Sequence, residues 1–217
     1  MTNKALGDVY SEHHALNRGR GFTLLLDERR AVMKANVGTG HKVLDIGCRD
    51  GGLTRSFVEG NQVLGVDIDP VALGMAKKQL GIETMIVDLN GDWSELGGRK
   101  FDVIVAGEVM EHLYFPHRVS EKVVKHLAPG GKFVGSVPNA FTLKHRIRFL
   151  FGSKKKTPID DPTHINHFHI EELRGILSKH FGSVEIIGLG TYKSLIKISP
   201  NLFGFDLFFV CKDPIPN

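Results

Sequence analysis

Two cysteines in 217 residues, Cys48 and Cys211, are too few for a disulfide framework and lack any metal-type spacing. Reduced thiols in a cytoplasm are the expectation. Long apolar runs are missing too: none approaches the length of a bilayer span. Met1-Thr2-Asn3-Lys4 opens without the apolar core of a secretion signal. Internal repeats and low-complexity linkers are absent, and a net charge of +4 is too mild to imply nucleic acid by itself. What remains is the composition of an ordinary globular protein, 41% hydrophobic and 24% charged, of a size that suits one domain over residues 1–217.

Against that background one stretch stands out. Val43-Leu44-Asp45-Ile46-Gly47-Cys48-Arg49-Asp50-Gly51-Gly52 reads as an apolar strand running into a glycine-rich turn. Gly65-Val66-Asp67-Ile68-Asp69 then reads as a second strand ending on an acid. A carboxylate at the tip of a second parallel strand can accept hydrogen bonds from both hydroxyls of a ribose. A dinucleotide fold wants G-x-G-x-x-G so that a pyrophosphate can sit on the following helix. Here Arg49 stands where the second glycine should be, and Asp45 and Asp50 add negative charge beside the turn. That charge suits a cationic, amino-acid-bearing nucleoside such as S-adenosylmethionine better than a pyrophosphate.

Strand and helix signals then alternate, which predicts a parallel sheet covered on both faces. Strands are expected at 42–46, 62–66, 83–87, 101–106 and 132–137, with Ser183–Leu189 and Phe205–Cys211 to follow. Helices are expected at 52–59, 70–80, 117–127 and 170–180, and Tyr192–Ser199 has no clear assignment. Residues 1–40 read as a helical arm, with Phe22, Leu25, Leu26, Val32 and Met33 on an apolar stripe and Asp27, Glu28, Arg29 and Arg30 toward water. Residues 41–137 form the cofactor-binding core, 138–169 an irregular insertion, and 170–217 a closing helix and strands.

Five pieces in this order, from the Asp45 turn through Asp67, Asp88, the Phe101–Ala106 strand and Pro129-Gly130-Gly131, resemble the class I S-adenosylmethionine-dependent methyltransferases. The likeness is close over about Lys42 to Val137. Glu108-Val109-Met110-Glu111-His112-Leu113 and the later Thr163-His164-Ile165-Asn166-His167-Phe168 are similar to the branch with ubiquinone-pathway O-methyltransferases and surface-glycan methyltransferases. Arg49 departs from the glycine usual in that family. The resemblance implies a doubly wound, mostly parallel α/β sheet of seven strands, the last antiparallel, with S-adenosyl-L-methionine as cofactor. It carries Asp45, Gly47, Cys48 and Glu108 to the methionine end, Asp67 and Ile68 to the ribose and adenine, and Asp88 and Leu89 to the adenine amino group.

The residues that follow leave alternatives open. His112 can serve as an acceptor-side base or positioning residue, as can His164 or His167, because neutral imidazole accepts a proton near pH 7. Glu108, Glu111 and His112, at i, i+3 and i+4, could instead share a helical face and hold a divalent metal with His164 or His167 as a further ligand. No metal is assigned. Any of these histidines can equally be structural.

Lys144, Arg146, Arg148, Lys154, Lys155 and Lys156 run without an acid among them, interleaved with Phe141, Leu143, Ile147, Phe149, Leu150 and Phe151. The stretch reads as a solvated cover, or as a basic amphipathic element for anionic lipid or an anionic substrate. The leading expectation is methyl transfer to a small-molecule or lipid-linked acceptor, with oxygen the favoured atom and weak peripheral contact with an anionic membrane. The alternatives are a metal-dependent RNA 2′-O-methyltransferase and a non-catalytic module that binds the cofactor.

Overall fold

The computed structural model describes residues 25–215. Most of the expected N-terminal arm, including Phe22, lies outside them. The described helix of that arm, α1, spans Leu26–Val37 and buries Arg29, Met33 and Val37, a stripe at i, i+4 and i+8. Arg29 was expected to face water. The stripe instead turns it inward, where two carboxylates receive it.

Strands β1 (Lys42–Ile46) and β2 (Gln62–Asp67) come next, followed by helix α2 (Pro70–Leu80) and strand β3 (Glu83–Ile86). Helix α2 starts cleanly because Asp69 caps it, accepting from the amides of Val71 and Ala72, with Pro70 at the first position. Strand β4 (Phe101–Gly107), helix α3 (Pro116–His126) and strand β5 (Leu127–Pro138) complete the central part. Beyond them lie α4 (Leu143–Leu150), α5 (Ile170–Leu177), β6 (Phe181–Leu189), α6 (Lys193–Ile198), α7 (Pro200–Phe203) and β7 (Asp206–Pro214).

The seven strands form one sheet in the order β3-β2-β1-β4-β5-β7-β6. Pairings among β1 to β5 are parallel, and β7 runs antiparallel to both β5 and β6. Alternate residues feed two apolar layers. Leu44, Ile46, Ile104 and Phe133 pack on one side, and Val43, Val63, Val103 and Val134 on the other. That explains why the central strands read as unbroken apolar runs.

Three expectations change. The helix predicted at 52–59 shrinks to a single 3-10 turn at Thr54–Ser56, because Gly51 adopts a left-handed φ of 82° and the Thr54 side chain is drawn inward to Asp45. Strand β5 begins at Leu127 rather than 132, with a register shift opposite Phe101–Val103 that absorbs Pro129-Gly130-Gly131. The insertion holds a regular helix, α4, capped by the Thr142 hydroxyl, and part of the unassigned Tyr192–Ser199 stretch is helix α6. Among the described residues, no helix is long and apolar enough to cross a membrane.

Strand order reverses between β1 and β4, since β1 leads outward to β2 and β3 while β4 leads to β5. In an open α/β sheet the crevice at the carboxyl ends of such a pair is where a ligand fits. The cavity of this protein opens there.

Candidate active site

A cavity of about 410 Å³ sits over the carboxyl ends of β1 to β4, within the range of small-molecule sites. Of the residues expected on the cofactor side, Gly47, Cys48, Asp67, Ile68, Asp88, Leu89 and Glu108 line it. Gly47 has a φ of 72°, and a Cβ there would lie 2.5 Å from a Val109 methyl, so only glycine lets the turn close. Asp67 accepts the Arg49 amide on one oxygen and the Asp69 amide on the other, each at 3.0 Å. Its carboxylate is thereby held rigid, and each oxygen keeps a lone pair for a further donor. Burial raises its pKa, which the backbone donors oppose. Asp88 is held in a similar way, accepting the Asn90 amide at 2.9 Å.

Glu108 has a left-handed φ of 58° and meets Arg29 at 2.8 Å. The same guanidinium reaches Asp206, at the start of β7, at 2.8 Å. Arg29 is 1% exposed; burial alone would lower its pKa, but the carboxylates of Asp206 and Glu108 hold it higher still. Arg29 and Asp206 both line the cavity, and neither was named from the sequence as a site residue. The spacing of Arg29 with Met33 and Val37 was the available signal.

Elsewhere on the cavity wall the insertion meets the turn after β4. Met110–His112 forms a 3-10 turn, so Glu108 does not share a face with Glu111 and His112, and the set weighed as a metal alternative is rearranged. His164 comes in from the insertion instead. Ligand atoms of Glu111, His112 and His164 lie within 4.8 Å of one another. The two imidazoles pack edge to face with centroids 4.8 Å apart. Nδ1 of His112 is 2.9 Å from the Thr163 carbonyl, and Nδ1 of His164 is 3.0 Å from the Pro158 carbonyl. A carbonyl only accepts, so each Nδ1 carries the proton and each Nε2 is the basic nitrogen. Glu111 is buried, and among the described residues neither carboxylate oxygen has a hydrogen-bond partner. Burial, then the charge of Glu108, pushes its pKa well above the carboxylate range.

The segment that delivers His164 is stapled down. Ile165 and Asn166 donate their amides to the Glu111 carbonyl at 2.9 Å, and the Asn166 amide group donates to the Leu113 carbonyl at 2.5 Å. His167 points elsewhere. It is absent from the cavity wall, its Nε2 has no partner among the described residues, and burial lowers its pKa.

A family model described as a methyltransferase domain matches residues 16–182. The chain belongs to the class I S-adenosylmethionine-dependent methyltransferase family. It is 32% identical over 137 residues to the ubiquinone biosynthesis O-methyltransferase of Pasteurella multocida, covering 57% of this chain and 56% of that protein. The mitochondrial ubiquinone biosynthesis O-methyltransferase of Schizosaccharomyces pombe is 32% identical over 108 residues, covering 46% and 38%. The chain thus spans about half the length, or less, of the curated relatives it matches. Among solved structures, the fold is similar to N-methyltransferase NodS from Bradyrhizobium japonicum in complex with S-adenosylhomocysteine. The TM-score is 0.67 at 18% identity, covering 96% of this chain and 98% of that one. A methyltransferase from Archaeoglobus fulgidus superposes with a TM-score of 0.65 at 21% identity, covering 94% and 99%.

Asp45, expected beside the methionine end of the cofactor, lies behind the wall of this cavity rather than on it. Its carboxylate is buried and accepts the Thr54 hydroxyl at 2.6 Å. Burial pushes its pKa from 3.8 up to about 7, with the Thr54 hydrogen bond opposing. Between those values the folded state holds a proton that the unfolded state has released, so this group's contribution to stability falls as pH rises through that window. Asp45→Asn keeps an acceptor for Thr54 and removes the titration. Relative to wild type, the variant should gain stability from pH 4 to pH 8 by about 1.4 kcal/mol per unit of pKa shift. Urea unfolding at several pH values reads this directly, and a pH-independent difference would contradict it.

Proposed function

We propose that this protein transfers a methyl group from S-adenosylmethionine to a hydroxyl of a small-molecule or lipid-linked acceptor. The observation that carries the reading is one cavity lined by three acidic side chains at or just past successive strand ends, Asp67, Asp88 and Glu108, and by His112. An acidic wall fits a ligand that bears a sulfonium and an ammonium. S-adenosylmethionine supplies a methyl group already activated by its sulfonium. The protein must bring the acceptor oxygen close and in line, which is orientation catalysis. Asp67 takes the ribose hydroxyls, and Ile68 and Leu89 flank the adenine, beside Asp88. Glu108, together with Gly47 and Cys48, receives the methionine end. His112 accepts the acceptor's proton at Nε2, with Thr163 holding the ring through Nδ1. His164 stands beside it as a second positioning group.

The basic nitrogen fits a hydroxyl acceptor, whose proton must leave as the oxygen is methylated. The O-methyltransferase relatives support the same choice. The two cysteines, both free and buried, support a reducing cytoplasmic setting. Binding and turnover separate the roles. Asp67→Ala should weaken S-adenosylhomocysteine binding by about 2–3 kcal/mol in calorimetry. His112→Ala should leave that affinity near wild type and slow methyl transfer by roughly 10²–10⁴-fold. Equal losses of binding and turnover in His112→Ala would remove it from the acceptor side, and tight binding without turnover in wild type would favour a non-catalytic module.

A second reading for the same histidines rests on the buried Glu111 carboxylate, which among the described residues has no hydrogen bond and lies 3.8 Å from His112 Nε2. Glu111, His112 and His164 offer one oxygen and two neutral imidazole nitrogens, a donor set that fits a divalent cation, and both rings are oriented by backbone carbonyls as metal-binding histidines are. A cation there would supply charge that draws an acceptor hydroxyl toward its ionised form. Under this reading, EDTA abolishes methyl transfer, Mg²⁺ restores it, and calorimetry of the cation loses its heat in Glu111→Gln. Full activity in EDTA leaves His112 as the base.

The insertion also supports reversible contact with anionic lipid. Leu150 and Phe151, 81% and 80% exposed, stand beside the cations of α4 and the turn after it. Wild type should sediment with phosphatidylglycerol vesicles at low salt and less at high salt, while Leu150→Ser/Phe151→Ser stays in solution. Wild type that never sediments would refute the membrane contact.

A further inference from the structure

Among the described residues, acids outnumber cations on the cavity wall. Among the described residues, three cationic side chains line it: Arg29, Arg49 and Lys156. Arg29 is committed to Glu108 and Asp206. Arg49 sits at the ribose end, where its amide holds Asp67. Lys156 belongs to the insertion, on the same side as Pro158 and His164, and so borders the acceptor end rather than the cofactor.

The turn that carries Lys156 is built rather than loose. Thr157 donates its hydroxyl to the Lys154 carbonyl at 2.7 Å, and Arg148 of α4 donates to the Lys155 carbonyl at 2.5 Å. Asp160 accepts the Lys156 amide at 3.1 Å. These bonds hold Lys156 at a left-handed φ of 58°, a conformation that disfavours any residue with a Cβ. The nearby acids have other partners: Asp160 takes that amide, and Asp161, which also lines the cavity, takes the amide and hydroxyl of Thr163 and lies 3.9 Å from His164 Nε2. Among the described residues, no hydrogen bond or ion pair engages the Lys156 ammonium. A strained turn braced by several bonds thus presents one cation to the acceptor end of the cavity.

We infer that Lys156 is the anion-binding residue of an acceptor subsite, and that the acceptor carries a compact carboxylate or phosphate group. This rests on the methyl-transfer reading above and adds a substrate class to it. Asp67, Asp88 and Glu108 would repel such a group, which orients the acceptor with its anion toward Lys156 and its hydroxyl toward His112 and the methyl donor.

Three probes distinguish the outcomes when titrated calorimetrically into the S-adenosylhomocysteine complex: catechol, 3,4-dihydroxybenzoate and 3,4-dihydroxyphenylphosphonate. Wild type should bind at least one of the anionic probes about tenfold or more tightly than catechol. Lys156→Gln should erase that preference, Lys156→Arg should keep most of it, and neither should change affinity for S-adenosylhomocysteine. Lys154→Gln and Lys155→Gln, which alter the same field from off the wall, should leave the preference intact. The inference is overturned if wild type does not prefer either anion, if Lys156→Gln keeps the preference, or if the Lys154 and Lys155 variants lose it equally. Mass analysis of products formed with S-adenosylmethionine tests the underlying reading separately. Anion preference without a methylated oxygen would leave the subsite standing and refute O-methyl transfer, and equal methylation of all three probes would do the reverse.

Discussion

A single guanidinium, that of Arg29, joins three parts of the chain that are distant in sequence: helix α1, the turn after β4 and the start of β7. It is buried, and it meets one carboxylate from each strand at 2.8 Å. Breaking such a group by removing one partner leaves an uncompensated buried charge, which costs about 3–5 kcal/mol. The geometry therefore cannot relax piecemeal. Glu108, in a left-handed conformation, is held by Arg29 at its side chain and by the Ser136 carbonyl at its amide, and the turn from Glu108 to His112 starts from that fixed point. The antiparallel strand β7 is pinned by the same cation at the residue where it enters the sheet.

From that anchor the two halves of the cavity are linked by hydrogen bonds. The Tyr114 amide, just past the His112 turn, donates to the Asn90 side chain on the loop after β3 at 2.9 Å. Lys122 of α3 grips that loop from below, donating to the carbonyls of Leu89 and Gly91 while its ammonium lies over the Trp93 ring. The insertion closes the circuit through Asn166 and Thr163, which hold the 110–113 turn. The proposed cofactor and acceptor sides thus share backbone supports, and the insertion is part of the site rather than a cover laid over it.

Much of this was legible in the chain. Alternation of apolar strands with helix signals gave the parallel core, and an acid at the end of a strand marked Asp67 and Asp88, because both features depend on residues close in sequence. Proline and glycine punctuation placed α2 and the turn after β1 for the same reason. Asp45 was placed on the cavity because it stands in the glycine motif, yet the strand's period of two turns it to the other face, against Thr54. The 52–59 helix failed because that inward pull and the left-handed Gly51 outweigh helical propensity.

The sequence by itself determined the sheet, its strand-end acids and the family, since these follow from periodicity and from short motifs that fold locally. Tertiary structure decided which side chains meet. Arg29 reads as a surface residue until Asp206, 177 positions later, arrives beside it. His164 replaces Glu108 beside Glu111 and His112, and His167, three residues on, faces away. Those pairings depend on how an irregular insertion packs on a distant turn. No local pattern encodes that packing, because its energy comes from hydrogen bonds and burial that exist only once the sheet has brought both segments to one edge.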